Sequence, residues 1–208
     1  MTKERLKSPR ARLFVALDLP ERVREDLVTW QRQALTDPAL RPIAPEALHV
    51  TLCFLDYHPE RAIERIAQVA CGIEPRSVTM RFEPEPKAVP RSRPRLFAID
   101  APSDAAVAIQ SELSERLEAE RFYEPEKRPF WSHVTVARVR AEKGSRGAGR
   151  RGRPRAVESA PEPLPETLLR PFSPIRVTLY RSLLRPTGAE YVPLAGLELL
   201  SGLSGAAD

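Results

Sequence analysis

His49-Val50-Thr51-Leu52 and His133-Val134-Thr135-Val136 read as one pattern, His-x-Thr-x with aliphatic residues at x. Successive side chains of a strand point to opposite faces. Each copy therefore predicts a strand that sends two aliphatics into a core and holds a histidine and a threonine on its other face. The chain has three histidines and nine threonines among 208 residues. Random placement would put Thr two residues after each of two given histidines with a probability of roughly 0.002. A single copy is an ordinary strand with a polar face; the pair carries information.

The surroundings repeat as well. Arg12-Leu13-Phe14-Val15-Ala16-Leu17-Asp18-Leu19-Pro20 resembles Arg95-Leu96-Phe97-Ala98-Ile99-Asp100-Ala101-Pro102, 83 residues further on, and the two His-x-Thr motifs are 84 apart. Each apolar run leads into a helical stretch and then into a His-x-Thr strand. A period this long, seen twice, is not a solenoid. It predicts two similar strand–helix–strand halves, roughly 12–90 and 91–200. Packed about a pseudo-two-fold, the halves would turn both polar pairs toward one cleft, an arrangement suited to acid–base chemistry on a phosphate.

Composition narrows the class. A chain of 208 residues makes one large domain or two small lobes with a real core. No apolar run reaches 18 residues, so no membrane span is expected. The start is basic (Lys3, Arg5, Lys7, Arg10, Arg12), but the apolar run Leu13–Leu17 stops at Asp18, too short for a signal peptide. A cytoplasmic protein is expected. Cys53 and Cys71 give neither a disulfide framework nor zinc spacing. Strand alternation would put Cys53 on the face of His49 and Thr51, but third and fourth ligands are lacking, so no metal is expected. A net charge of +5 and a pI of about 9.5 favour polyanions such as RNA or phosphorylated ligands.

The remaining pattern predicts a strand over 12–18 and a helix over Glu21–Leu35. A proline-marked loop follows, then the strand Leu48–Leu55. A second helix opens at Pro59 and closes at Gly72. Val78, Met80 and Phe82 alternate as a half-buried strand, and 84–94 is a Pro-rich connection. Ser103 caps a helix that runs to about Glu120, and Phe130–Val139 is the second motif strand. Val177–Tyr180 and Glu190–Leu199 form a hairpin turning near Pro186-Thr187-Gly188. Residues 1–11 read as a disordered basic tail, 201–208 as a second tail, and 12–200 as a single bilobal domain. The Gly/Arg-rich stretch within 141–165 reads as a flexible loop, either solvated or a clamp on an RNA backbone.

These residues resemble the two-histidine (2H) phosphoesterase superfamily, and within it the LigT-like RNA 2′,3′-cyclic phosphodiesterases, also named 2′-5′ RNA ligases. The resemblance runs from Arg12 to Leu199. It rests on Leu13–Pro20, Leu48–Leu52 with Phe54-Leu55, Arg93-Pro94-Arg95, Arg128-Pro129-Phe130, His133–Arg138, Thr178–Ser182 and the turn from Gly188 to Tyr191. Two departures stand out: Asp56 occupies a position usually Gly, and Ser132 one usually Pro. The resemblance implies an α+β fold of two pseudo-symmetric lobes. Each is an antiparallel sheet with helices on its outer face, and the active-site cleft lies between them.

The implied activity is hydrolysis of RNA 2′,3′-cyclic phosphate ends to 2′-phosphates. His49 would be the proton donor and His133 the acceptor, with no metal or cofactor. The residues alone do not divide those roles. Histidine suits both, because its ordinary pKa of about 6.5 allows one neutral and one protonated ring near neutrality. Thr51 and Thr135 would donate to the non-bridging oxygens. Arg138 would bind phosphate only if a bulge or strand end turned it to the side of His133. Phe130 is a base-stacking candidate, whereas Phe54 reads as core and His58 as a surface loop residue. The partners expected are RNA or nucleotides with cyclic phosphate ends, bound by a monomer. The same residues would also serve a 2′-5′ RNA ligase running the reaction in reverse, or a non-catalytic RNA-binding module on this scaffold.

Overall fold

The apolar run that opens each half becomes an inner strand because its residues are buried almost throughout. In the computed structural model, which describes residues 9–142, 152–185 and 188–201, the first of these strands, β1, spans Arg10–Asp18. It begins two residues inside the stretch expected as a tail. The order continues with α1 (Glu21–Ala34), β2 (Leu40–Pro42), β3 (His49–Pro59), α2 (Ile63–Ala70), β4 (Lys87–Val89), β5 (Leu96–Asp100), α3 (Asp104–Ala119), β6 (His133–Val139), β7 (Arg176–Arg185) and β8 (Gly188–Glu198). β2 and β4 fall in segments the prolines marked as connections. Both are three-residue edge strands, where proline is tolerated.

All the strands join one antiparallel sheet in the order β4-β5-β6-β3-β1-β7-β8, with β2 added to β6. The sheet has two parts. β3 pairs with β1 over nine residue pairs, and β5 with β6 over five. The two parts meet where β3 and β6 pair only through Val50 and Val134. This joint divides the sheet into a first lobe (β3-β1-β7-β8) and a second (β4-β5-β6-β2).

The lobes are not the contiguous halves that the repeat suggested. β2, near the start of the chain, belongs to the second lobe, and β7 and β8, near its end, to the first. The helices cross over as well. α1 follows β1 but lies on the second lobe, where Gln31 Nε2 donates to the Val136 carbonyl at 2.7 Å. α3 follows β5 but packs on β3 and α2. Exchange of helices merges the two lobes into one buried core.

Helix ends follow local chemistry. Ser103 Oγ accepts the Ala106 N–H at the start of α3. At Gly72 a Cβ would come within 2.7 Å of the Gln68 carbonyl, so only glycine closes α2 there. Pro59 ends β3, and a 3₁₀ turn at Glu60–Ala62 separates it from α2. Val78, Met80 and Phe82 are buried as the alternation requires. They do not form a ladder, however: Met80 makes only an isolated bridge to Phe172.

The described part of the basic stretch, 152–165, is tied down rather than free. Buried Asp37 accepts the N–H groups of Glu158 and Ser159 at 2.7 and 3.0 Å and that of Ala39 at 2.7 Å. These bonds hold its carboxyl below the usual range. Trp30 Nε1 donates to the Pro163 carbonyl, and Leu164 is buried. The Gly/Arg residues 143–151, the hairpin positions 186–187 and the tails 1–8 and 202–208 lie outside the described residues.

Asp56 is part of β3 and has φ +58°. It sits in a bulge, since β1 pairs Leu13 with Asp56 and Phe14 with Phe54, leaving Leu55 over. The left-handed region favours glycine and tolerates Asp, which accounts for the departure. His58 is likewise in β3, opposite Ala11. Its Nε2 donates to the Leu55 carbonyl at 2.8 Å. Asp56→Gly should be at least as stable as the native protein in denaturant unfolding. Asp56→Val should lose about 1–2 kcal/mol, because a β-branched residue bears the full cost of that backbone region.

Candidate active site

The Val50–Val134 pairing positions the whole site. Both valines are fully buried, so their neighbours along each strand face the other way. Continuing the antiparallel register puts His49 across from Thr135 and Thr51 across from His133. An antiparallel pair carries a local two-fold, and here that axis relates the two motifs. All four side chains are half-buried and line one cleft of about 820 Å³.

Each imidazole is held in the same way. His133 Nδ1 donates to the Trp131 carbonyl at 2.7 Å, and the ring of His49 hydrogen-bonds to the Ala47 backbone. In both cases the partner lies two residues before the histidine. Nε2 is thereby directed to the cleft, and in His49 it lies 3.1 Å from Thr51 Oγ1. Ser132, at the second departure, is buried and donates to the Ala101 carbonyl at 2.7 Å. This bond clamps the strand immediately before His133.

A pair of aspartates was missed in the sequence. Register places Asp18 beside His49 and Asp100 beside His133. Buried Asp18 accepts from Thr178 Oγ1 at 2.9 Å, Tyr180 Oη at 2.7 Å and Arg176. Asp100 accepts from Trp131 Nε1 at 2.8 Å and from Lys87. Trp131 in turn stacks on His133, with ring centroids 3.8 Å apart. His49 is packed by Phe14 at 5.0 Å and by Tyr191 edge-on at 5.4 Å. The signal was present: both apolar runs end in Asp two residues before a proline, Pro20 and Pro102.

The second decisive feature is a duplicated bulge. β1 pairs Ala16 with Thr51 and Val15 with Cys53, leaving Leu52 over. β5 pairs Ala98 with Thr135 and Phe97 with Ala137, leaving Val136 over. One extra residue inverts the facing of everything after it. Cys53 therefore leaves the His49 face and is buried, where burial pushes its thiol up to about 12. Phe54 takes its place on the cleft face and is not core, as the alternation had implied. In β6 the same inversion delivers Arg138 to the side of His133 and Thr135. Phe130 lines the cleft and packs against the core edge. Arg12, Arg41 and Arg128 also line the cleft. Among the described residues no cluster of three His, Cys, Asp or Glu is arranged to hold a metal ion, and no helix is long and apolar enough to cross a membrane.

The sequence profile of the 2′-5′ RNA ligase superfamily matches residues 19–180. The chain belongs to that superfamily. Among its relatives, an RNA 2′,3′-cyclic phosphodiesterase of Methanocaldococcus jannaschii is 25% identical over 181 residues, covering 86% of this chain and 96% of the relative. A Thermus thermophilus protein of the same name is 29% identical over 142 residues, covering 62% and 69%. A similar fold is seen in the crystal structure of TT0787 from T. thermophilus, with a TM-score of 0.75 at 24% identity over 91% of this chain and 98% of that one. Escherichia coli LigT in complex with 3′-AMP gives 0.70 at 23% identity over 92% and 99%.

Charge in the cleft is tuned by burial. Desolvation pulls His49 down to about 4, opposed by Asp18 and reinforced by the charges of His133 and Arg138. His133 is lowered too, again mainly by burial, against the Trp131 hydrogen bond and Asp100. Both rings are neutral in the free protein at pH 7. Between its folded value near 4 and its unfolded value near 6.5, His49 binds fewer protons folded than unfolded. Stability therefore rises with pH across that window and is complete above it. Unfolding at pH 4.5 and 7.5 should show a drop on acidification that shrinks in His49→Gln, and the His49 ring should titrate near 4 by NMR.

Proposed function

We propose that this protein is a metal-independent RNA 2′,3′-cyclic phosphodiesterase that opens terminal cyclic phosphates to 2′-phosphates. The observation that supports this most is the pair of His/Thr sets related by the Val50–Val134 two-fold across one basic cleft. In-line displacement at phosphorus needs a base on one side and an acid on the other, and a two-fold pair of imidazoles supplies both. The names of the relatives point to the same reaction.

In this reading His133 Nε2 takes a proton from water as its oxygen attacks phosphorus. The P–O3′ bond breaks, and His49 Nε2 gives its proton to O3′. Thr51 and Thr135 donate to the non-bridging oxygens, where charge builds up. Arg138 holds the phosphate and Phe130 offers a face to a base. His49 is neutral in the free protein, so the phosphodiester anion does more than dock: its charge draws the His49 pKa upward. The acid is assembled as substrate binds. Both motifs come from one chain and complete the cleft, which supports a monomer. Two free cysteines fit the reducing cytoplasm.

A second assignment exchanges the two histidines, because the low proton affinity of His49 keeps it unprotonated, as a base must be, over a wide pH range. A diester with a p-nitrophenolate leaving group separates them, since that group departs without protonation. The variant lacking the acid should keep activity on it, while the variant lacking the base should not.

His49→Ala and His133→Ala should each lower turnover of a nucleoside 2′,3′-cyclic phosphate by about 10²–10⁴-fold while remaining folded. Near-normal rates in both would exclude the mechanism. The pH profile follows from the cleft. The competent free protein carries one proton on the pair, so kcat/KM should peak on the acid side of neutrality, above the His49 value of about 4, and fall toward alkaline pH. In the complex the anion raises both groups, and kcat should peak closer to neutrality.

A further inference from the structure

The cleft extends beyond the histidines along the first lobe, and one polar atom there is unaccounted for. Ser182 is 6% exposed, and its Oγ has no hydrogen-bond partner among the described residues. Buried hydroxyls are almost always paired, and an unpaired one calls for an explanation. Ser182 lies on the cleft wall. In register it is flanked by Arg12 of β1 on one side and Tyr191 of β8 on the other.

Arg12 is placed to share its ligand. Its guanidinium lies 4.4 Å above the ring centroid of Phe54, a flat support that orients a cation without neutralising it. Arg12 takes part in none of the ion pairs among the described residues. Directly paired residues of antiparallel strands are about 5 Å apart. A charged guanidinium and a hydroxyl lacking a partner, carried by directly paired residues of one cleft wall, suit a single phosphate.

The position relative to the histidines fixes which phosphate. Phe14, whose ring stacks on His49, is two residues from Arg12, about 6.8 Å along the strand. The Arg12–Ser182 pair therefore sits one step beyond the reacting centre, about a nucleotide away. An RNA with a 2′,3′-cyclic end extends from that end in the 5′ direction only. Its single neighbouring phosphate is the one 5′ to the terminal ribose. On the second lobe the cleft is lined by Leu96, opposite Arg138, and by Arg41 and Arg128, and among the described residues no buried hydroxyl there lacks a partner.

We infer that Arg12 and Ser182 form a second phosphate-binding subsite, which grips the phosphate 5′ to the terminal ribose and makes the enzyme select RNA ends over free cyclic nucleotides. This rests on the phosphodiesterase reading above. The test compares adenosine 2′,3′-cyclic phosphate with the same compound carrying a 5′-phosphate. The native protein should show kcat/KM at least about 10-fold higher for the 5′-phosphorylated substrate, through a lower KM, and the advantage should shrink as salt rises.

In Arg12→Met and in Ser182→Ala the ratio between the two substrates should fall to about 2 or less, with Arg12→Lys intermediate. Ser182→Ala should melt no lower than the native protein, because it removes an unpaired hydroxyl. A purely structural serine would instead lower the melting temperature and leave the ratio intact. A native ratio near one, or a ratio unchanged in both variants, overturns the subsite and leaves the phosphodiesterase reading standing. Turnover of neither substrate by the native protein overturns that reading and the subsite with it.

Discussion

Everything in the cleft depends on one short contact between β3 and β6. Among the described residues, Val50 and Val134 are the only ones through which the two parts of the sheet are paired, and both are completely buried. Burial of the valines fixes which way each strand faces, and therefore which way His49, Thr51, His133 and Thr135 point. The antiparallel register fixes how the two motifs face each other. With a longer ladder the sheet would continue without a break. Because the pairing is limited to one position, the two lobes diverge on either side of it and leave a cleft.

The duplication is deeper than the motifs alone. Each His-x-Thr is followed one residue later by a bulge, each histidine is hydrogen-bonded to the backbone two residues back, and each has an aspartate beside it in register. These correspondences explain why an acid and a base can be built from one design. The histidines sit in similar environments but not identical ones: Phe14 and Tyr191 surround one, and Trp131 covers the other. Their different burial separates their proton affinities. The lobes differ further along the cleft, where Phe54 and Arg138 occupy equivalent positions after the two bulges.

Much of this was legible in the sequence because it is local. Aliphatics alternating with His and Thr impose a strand and its facing, and helix spacing with Ser103 as cap located α3. The 83- and 84-residue offsets revealed the duplication. What was misread has a common cause. Phe54 and Cys53 were placed by strict alternation, and a one-residue bulge reverses that rule without leaving a mark in composition; the matching bulge in β6 is the one that Arg138 required. Asp56 did leave one, as a residue that tolerates the left-handed region where glycine is usual. Val78, Met80 and Phe82 were right in burial and wrong in pairing, since alternation reports a buried face and not a partner strand.

The sequence by itself determined that two strands each carry a histidine and a threonine on one face, because the period of a strand is set by its backbone. It also determined that the two units are related, because the repeat is written in the residues. Only the tertiary structure decided that helices and edge strands are exchanged between the lobes, that Arg138 and not Cys53 joins the histidines, and that Arg12 and Ser182 are paired across β1 and β7. Those outcomes depend on register between segments up to about 170 residues apart, and register is settled by packing across the sheet rather than by any single stretch of chain.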